Sequence, residues 1–413
     1  MKVALVHDQL QEFGGAERVL VALKKIFPQA DVYTSFYNPE SLGIHQKKFK
    51  NWNIITSWAD KVPLLKKIYS PLRFITPWIW ESFNFSDYDL VISSSGSYMS
   101  KGIITRPETI HICYLHHQPR FLYYYETAIE WQKYLVFKIY GHLINHELRL
   151  WDYVSSQRVD HFIANSEETK KRIKKFYRRD TTVIYPPVNI PRRIVIPSEV
   201  EGSSDRRGRK NASGTSDVPS LDSSVASLLR NDEGEYYLTV SRLARAKHTD
   251  VLIRAANKRK FNLKIVGSGR AENYLKSLAG SSVEFLGNLP DRELPELYKK
   301  AKAFLFSAVD EEFGIAPVEA MGYGLPVIAY SSGGLKETIK PGVNGYLFNE
   351  LNENSLIKKV NELMSLPKEK YLEMRKNARN EAEKYSFENF KNKILEFINL
   401  KMSFPRKRES RFK

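Results

Sequence analysis

Glu311 and Glu319 are separated by seven residues in the run EEFGIAPVE, and Gly322, Gly324 and Pro326 follow before an apolar stretch. Ionised carboxylates accept hydrogen bonds from hydroxyls. Between the two glutamates, Phe313, Gly314 and Ile315 open a predicted helix whose first N–H groups lack intrahelical partners and suit a phosphate. The set fits a ligand that is polyhydroxylated at both ends and anionic in the middle, such as a nucleotide sugar. The plainer alternative is an exposed acidic loop ahead of an ordinary helix.

Further residues of the same chemical kind stand after other predicted strands. Arg242 and Lys247, five residues apart in SRLARAKHTD, supply two cations that can neutralise a diphosphate without a metal. Gly14 and Gly15 follow the first strand and open a second helix, with Glu17 suited to its positive end. Gly267 and Gly269 in GSGR turn sharply after a strand, which a purely structural turn also explains. His116 ends a strand in YLHHQPR; His117 is a rival one residue away, and Arg120 suits either an acceptor phosphate or a salt bridge. Asp87-Tyr88-Asp89 has the form of a divalent-cation motif, but it precedes its strand, so it starts at the wrong edge of a sheet and no metal is expected there.

The elements that must position these residues repeat as strand, then amphipathic helix. KVALVHD, DVYTSF, YDLVISSS, TIHICYLHH, HFIANS and TTVIYPPV give one set of strands, and YYLTVSRL, NLKIVGSG, SVEFLGNL, KAFLFSAV and LPVIAYSS a second. Such alternation predicts an α/β fold of two doubly wound parallel-sheet domains facing each other across a deep cleft, with ligands at the strands' carboxyl ends. The expected division is 1–190 and 235–384 for the domains. Residues 191–234 form a Ser, Gly and Arg-rich insertion expected to be disordered, 385–401 a closing helix, and 402–413 a disordered basic tail.

At 413 residues, 42% of them hydrophobic, two domains can each bury a core. A single cysteine, Cys113, excludes an internal disulfide. No run is long enough to cross a membrane, and a strand beginning at Lys2 leaves no room for a signal peptide, so the expected home is the cytoplasm. The net charge of +17 asks for anionic partners, but no nucleic-acid motif is present. The segment Lys61 to Phe83 mixes cations with Leu, Ile, Trp and Phe as a surface-lying membrane segment does, or as helices packed in the first domain with snorkelling lysines do.

In order, GGAERV, YLHHQPR, SRLARAKHTD, GSGRAE and the Glu-x7-Glu run resemble the retaining glycosyltransferases of family 4, with the GT-B fold. The resemblance implies that Arg242 and Lys247 hold the donor's phosphates, Glu319 the ribose and Glu311 the transferred sugar. It assigns Gly14, Gly15, Gly267, Phe313, Gly314 and Ile315 to the donor site, Arg120 to the acceptor, and to His116 a hydrogen bond donated to a sugar hydroxyl. No cofactor is implied, and proton transfer is not the glutamates' role. The nearest motifs are those of GDP-mannose-dependent mannosyltransferases of bacterial polysaccharide and O-antigen synthesis, which implies a glycan or lipid-linked acceptor at the inner face of the cytoplasmic membrane. The closing helix is implied to brace the first domain. A sugar-nucleotide epimerase of the same architecture and a noncatalytic nucleotide-sugar-binding protein are the alternatives.

Overall fold

A computed structural model describes residues 1–62, 65–69, 71–127, 135–191 and 235–403. The disorder expected for 192–234 and for 404–413 lies outside the described residues. Among those described, the first sheet has seven strands, β1 (Val3–His7), β2 (Asp31–Thr34), β3 (Ile54–Thr56), β4 (Leu90–Ser95), β5 (Ile110–Leu115), β6 (His161–Ala164) and β7 (Thr181–Val183). Their order is β3-β2-β1-β4-β5-β6-β7, every neighbouring pair parallel. The second sheet holds β8 (Tyr236–Val240), β9 (Leu263–Val266), β10 (Val283–Gly287), β11 (Ala301–Phe306), β12 (Val327–Tyr330) and β13 (Gly345–Phe348). It too is wholly parallel, in the order β10-β9-β8-β11-β12-β13.

Parallel strands are covered on both faces, so their sequences are near-continuously apolar. Every residue of β1 and of β4 is buried. One apolar cluster on the first sheet gathers Leu5, Val32, Leu90 and Ile112, while the opposite face gathers Ala4, Val6, Tyr33, Ile79 and Trp80. The second sheet is sandwiched in the same way by Leu238, Phe304 and Val327 on one side and Tyr237, Ile265 and Leu305 on the other. In each sheet the strand order reverses beside the first strand, between β1 and β4 and between β8 and β11. Crevices open at such switch points, at the strands' carboxyl ends.

Two consequences concern the helices. The C-terminal helical stretch is two elements, Lys368–Glu383 and Phe387–Ser403, so Met402 and Ser403 belong to the last helix rather than to a tail. Phe390, Ile394, Phe397 and Ile398, spaced so as to share one helical face, enter the core of the first domain beside Leu20 and Ile112. No helix among the described residues is long and apolar enough to cross a membrane.

Deleting a buried phenyl group costs about 3–5 kcal/mol. Phe390→Ala should therefore destabilise the chain by about 3 kcal/mol in urea unfolding, whereas the exposed Glu388→Ala, on the same helix, should stay within about 0.5 kcal/mol of the parent.

Candidate functional site

The loop after β8 carries Arg242 and Lys247, and backbone contacts hold it rigid. A Cβ at Gly267 would collide with the Ser241 carbonyl and one at Gly269 with that of Leu243, while the Leu243 amide donates to Ser268 O at 2.8 Å. Gly267 therefore supports the Arg242 loop from behind. The end of β11 ties down the other half of the loop: Ser307 Oγ donates to the carbonyls of Lys247 (2.9 Å) and His248 (2.8 Å). Lys247 ion-pairs with Glu311 from the adjacent loop.

The Glu311 loop rests on Ser331 to Gly334. Gly334 N–H donates to Glu311 O at 2.8 Å, and a Cβ at Gly333 or Gly334 would strike the carbonyls of Glu311 and Glu312. The chain then enters α4, whose place in the series follows α1 (Gly15–Ile26), α2 (Leu135–Arg158) and α3 (Glu167–Tyr177); α4 itself spans Ile315–Gly322. Gly314 caps α4 at φ +89°, where a side chain would be strained and would press on Leu335. Phe313, expected at the donor, is a core residue instead: its ring packs on Tyr185 and Tyr385, which leaves only its backbone to a ligand.

Across the cleft α1 begins at Gly15, whose added Cβ would lie 3.1 Å from Ile315 Cδ1. The two helix N-termini thus abut, and both direct free amides and positive dipole ends into the same space. Glu17 occupies the first turn of α1 and accepts the Gly14 amide at 2.7 Å. One turn in, Arg18 donates to Glu319 at 2.8 Å. Burial and Asp291 raise the Glu319 carboxyl above its ordinary range, Arg18 acting against them.

Glu312 has the tightest pairing. Arg120 Nη2 donates to its two oxygens at 2.8 and 2.7 Å, and Arg172 Nη1 donates at 3.2 Å. Burial alone would raise this carboxyl, but the charge of Arg120, of His117 and of Arg172 brings it down to about 2. Arg120, expected at an acceptor, is thus bound to the opposite domain, and Glu312, which the sequence left without a role, is the anchor.

Further pairs close the same cleft. Arg242 meets Glu12; Arg245 and His248 meet Glu126; Lys48 meets Asp291 at 2.6 Å. Glu337 accepts the amides of Glu167 and Glu168, each at 2.9 Å, so one domain caps α3 of the other. None of these partners shows a local pattern; only Arg18, three residues after Gly15, could have been placed on the cleft side of its helix. Asp8 was also missed: its carboxylate accepts the amides of Gly96, Tyr98 and Ser100 and shapes the loop after β4.

His116 is 7% exposed, with Nε2 on Ser94 Oγ at 2.7 Å. His117 lies further out, its Nδ1 2.8 Å from Gln118 O and its Nε2 over Gly96. Asp89 lies at the amino edge of the sheet, where it accepts the Lys2 amide at 2.6 Å, away from all of these residues' strand ends.

A family model described as "Glycosyltransferase Family 4" matches residues 13–192, and one described as "Glycosyl transferases group 1" matches residues 222–381. An uncharacterized glycosyltransferase of Methanocaldococcus jannaschii is 38% identical over 143 residues, 32% of this chain and 37% of that one. An alpha-1,3/1,6-mannosyltransferase of Kluyveromyces lactis is 25% identical over 223 residues, 44% of this chain and 40% of that one. The chain spans less than half the length of these two curated relatives. Among solved structures, Anabaena HepE in complex with UDP and glucose superimposes with a TM-score of 0.66 at 19% identity, covering 97% of this chain and 99% of that one.

Because Glu312 has a depressed folded pKa, its stabilising contribution is complete above the ordinary carboxylate range and is lost as the pH falls from about 4.5 towards about 2. Glu312→Gln, which removes the carboxylate charge from Arg120 and one of those facing Arg172, should cost about 3 kcal/mol at pH 7. In urea titrations its deficit relative to the parent should narrow between pH 5 and pH 3; a constant deficit would assign the loss to packing.

Proposed function

From a chain that belongs to the GT-B glycosyltransferases, by fold and by the two family models over its domains, we propose transfer of a hexose from a nucleotide sugar to an acceptor hydroxyl with retention at the anomeric carbon. The observation that carries this reading is the convergence, at the two switch points, of Arg242 and Lys247, the N-termini of α1 and α4, and the carboxylates Glu311 and Glu319.

In this scheme the donor's diphosphate draws Arg242 and Lys247 away from Glu12 and Glu311. Glu311 is then left to accept hydrogen bonds from the sugar hydroxyls, and Glu319 from the ribose. The bond from the anomeric carbon to the phosphate oxygen breaks, and the two cations with the Gly314 and Ile315 amides stabilise the charge that develops on the leaving group. The acceptor oxygen bonds to the same face, and its proton passes to the departing phosphate oxygen. Closure of the domains excludes water. The chemistry asks nothing of a metal.

Mannose from GDP-mannose is our choice of donor, supported by the family motifs and the K. lactis mannosyltransferase; the UDP bound in the Anabaena structure favours a uridine donor as the second choice. A lipid-linked acceptor at an anionic membrane surface is supported by an exposed apolar patch on the first domain. Trp58 Nε1–H lies 3.5 Å from Trp78 O, Phe74 meets the Trp78 ring edge-on, and the Tyr140 hydroxyl joins α2 to this segment at Pro71. Beside them α2 exposes Leu135, Ile139 and Leu143, one turn apart, with Lys138 between them.

Incubation with GDP-, UDP-, dTDP- and ADP-sugars, reading nucleotide release with and without lipid extract, tests the reading; no release from any donor sinks it. Lys247→Ala should lower kcat roughly a hundredfold or more, while Asp89→Ala should leave it within twofold; the reverse pattern would refute the metal-free scheme. Combined Trp78→Glu and Leu143→Glu should reduce sedimentation with phosphatidylglycerol vesicles about tenfold without altering donor hydrolysis in solution.

A further inference from the structure

Four buried polar side chains form a continuous line from the N-terminus of α1 to the strand end that carries His116. Glu17 Oε2 accepts the Gly14 amide at 2.7 Å, and Glu17 Oε1 lies 3.3 Å from His7 Nε2. His7 Nδ1 lies 3.0 Å from Ser94 Oγ, which in turn lies 2.7 Å from His116 Nε2. His7 is 1% exposed, Ser94 0% and Glu17 8%, so the groups have one another rather than bulk water as partners.

The protons in this line can be assigned by counting. Burial would raise the Glu17 carboxyl, but the hydrogen bonds from His7 and from the Gly14 amide hold it below its ordinary value. An ionised carboxylate only accepts, so the contact at Glu17 requires N–H at His7 Nε2. With His7 neutral, as in a carboxylate–histidine–hydroxyl relay, its ring has one N–H, so Nδ1 accepts and the Ser94 hydroxyl donates to it. That hydroxyl has no second proton. Ser94 Oγ therefore accepts from His116, which must carry its proton at Nε2. The His116 backbone is fixed as well, through its amide to Ser95 O at 2.8 Å and its carbonyl from Asn165 Nδ2 at 2.9 Å. Its Nε2 is thus engaged within the protein, and Nδ1 is the ring nitrogen left for a ligand.

We propose that Glu17, His7 and Ser94 are positioning residues that lock His116 in the Nε2–H tautomer, so that Nδ1 faces the bound ligand as a hydrogen-bond acceptor. His116 then accepts a hydrogen bond from a ligand hydroxyl instead of donating one to it, the reverse of the direction the family resemblance implies. The identity of that hydroxyl, on the transferred sugar, rests on the proposed function; the tautomer does not. The same line connects the histidine to the first turn of the helix that faces α4, so the acceptor nitrogen and the Gly14 amide share one scaffold.

Long-range proton–nitrogen correlation spectra of the ligand-free full-length chain, labelled with 15N-histidine and assigned with His116→Gln, read the tautomer directly. The expected pattern is Nε2–H for His116. Ser94→Ala, which cuts the line, and Glu17→Gln, whose amide can donate to His7 and reverse the polarity, should both convert it to a mixture. Ser93→Ala removes the neighbouring buried pair with His111 (2.8 Å) and should leave the His116 signal unchanged. With the preferred donor, Ser94→Ala should lose about tenfold in kcat with KM within twofold, the scale of one hydrogen bond. An Nδ1–H signal in the parent chain, as a doubly protonated His7 would enforce, or an unchanged signal in Ser94→Ala, overturns the proposal. A correct tautomer in a chain that releases no nucleotide would instead defeat the functional reading alone.

Discussion

The structure depends on a buried carboxylate that belongs to one domain and is solvated by the other. Glu312 leaves the end of β11 and is enclosed by Arg120 and Arg172, so its desolvation is offset only while the two sheets face each other. Around it, Arg18 with Glu319, Lys48 with Asp291 and Arg242 with Glu12 repeat the arrangement at decreasing burial. Exposed pairs of the last kind contribute little individually. The central pair therefore sets the closed geometry, and the peripheral pairs can be broken at small cost. That gradation makes one cleft rigid at Glu312 and exchangeable at Arg242.

Glycines perform the complementary task of bringing backbones together. The Arg242 loop lies against the GSG turn, and the Glu311 loop lies against Gly333 and Gly334, at separations that a Cβ would forbid. The side chains that face the cleft are thus aimed by main-chain contact rather than by side-chain packing. Substitutions at these glycines act on the cations and carboxylates without touching them.

Much of this could be read from the chain because parallel strands announce themselves. β1, β8 and β11 are largely buried, mostly apolar runs, and whatever follows such a run stands at a carboxyl edge; that alone brought Gly14, Arg242, Lys247 and Glu311 to one cleft. The edge strands β3 and β13 escaped notice because they are short and half-buried, and Gly345 opens β13 where a β-branched residue would have marked a strand. Partners across the domains were not legible. Arg120 and Glu312 are 192 residues apart, and no local periodicity encodes which cation meets which carboxylate. The sequence offered Arg120 to an acceptor and Phe313 to a donor because residue type indicates capability, whereas burial and neighbours decide its use. His116 shows the limit most clearly: its direction of hydrogen bonding is fixed by a proton on Ser94, on the preceding strand and adjacent in the sheet.

The return of the last helix to the first domain bears on how the molecule is made. Phe390, Ile394 and Phe397 complete a core whose other members were laid down more than two hundred residues earlier. During synthesis, domains usually fold in the order they emerge. Here the first to emerge remains short of part of its own interior until the second has been made, and then finishes around it. Assembly of the cleft and completion of the fold are consequently one late event, and a chain released before that point exposes an apolar groove on the very domain that was translated first.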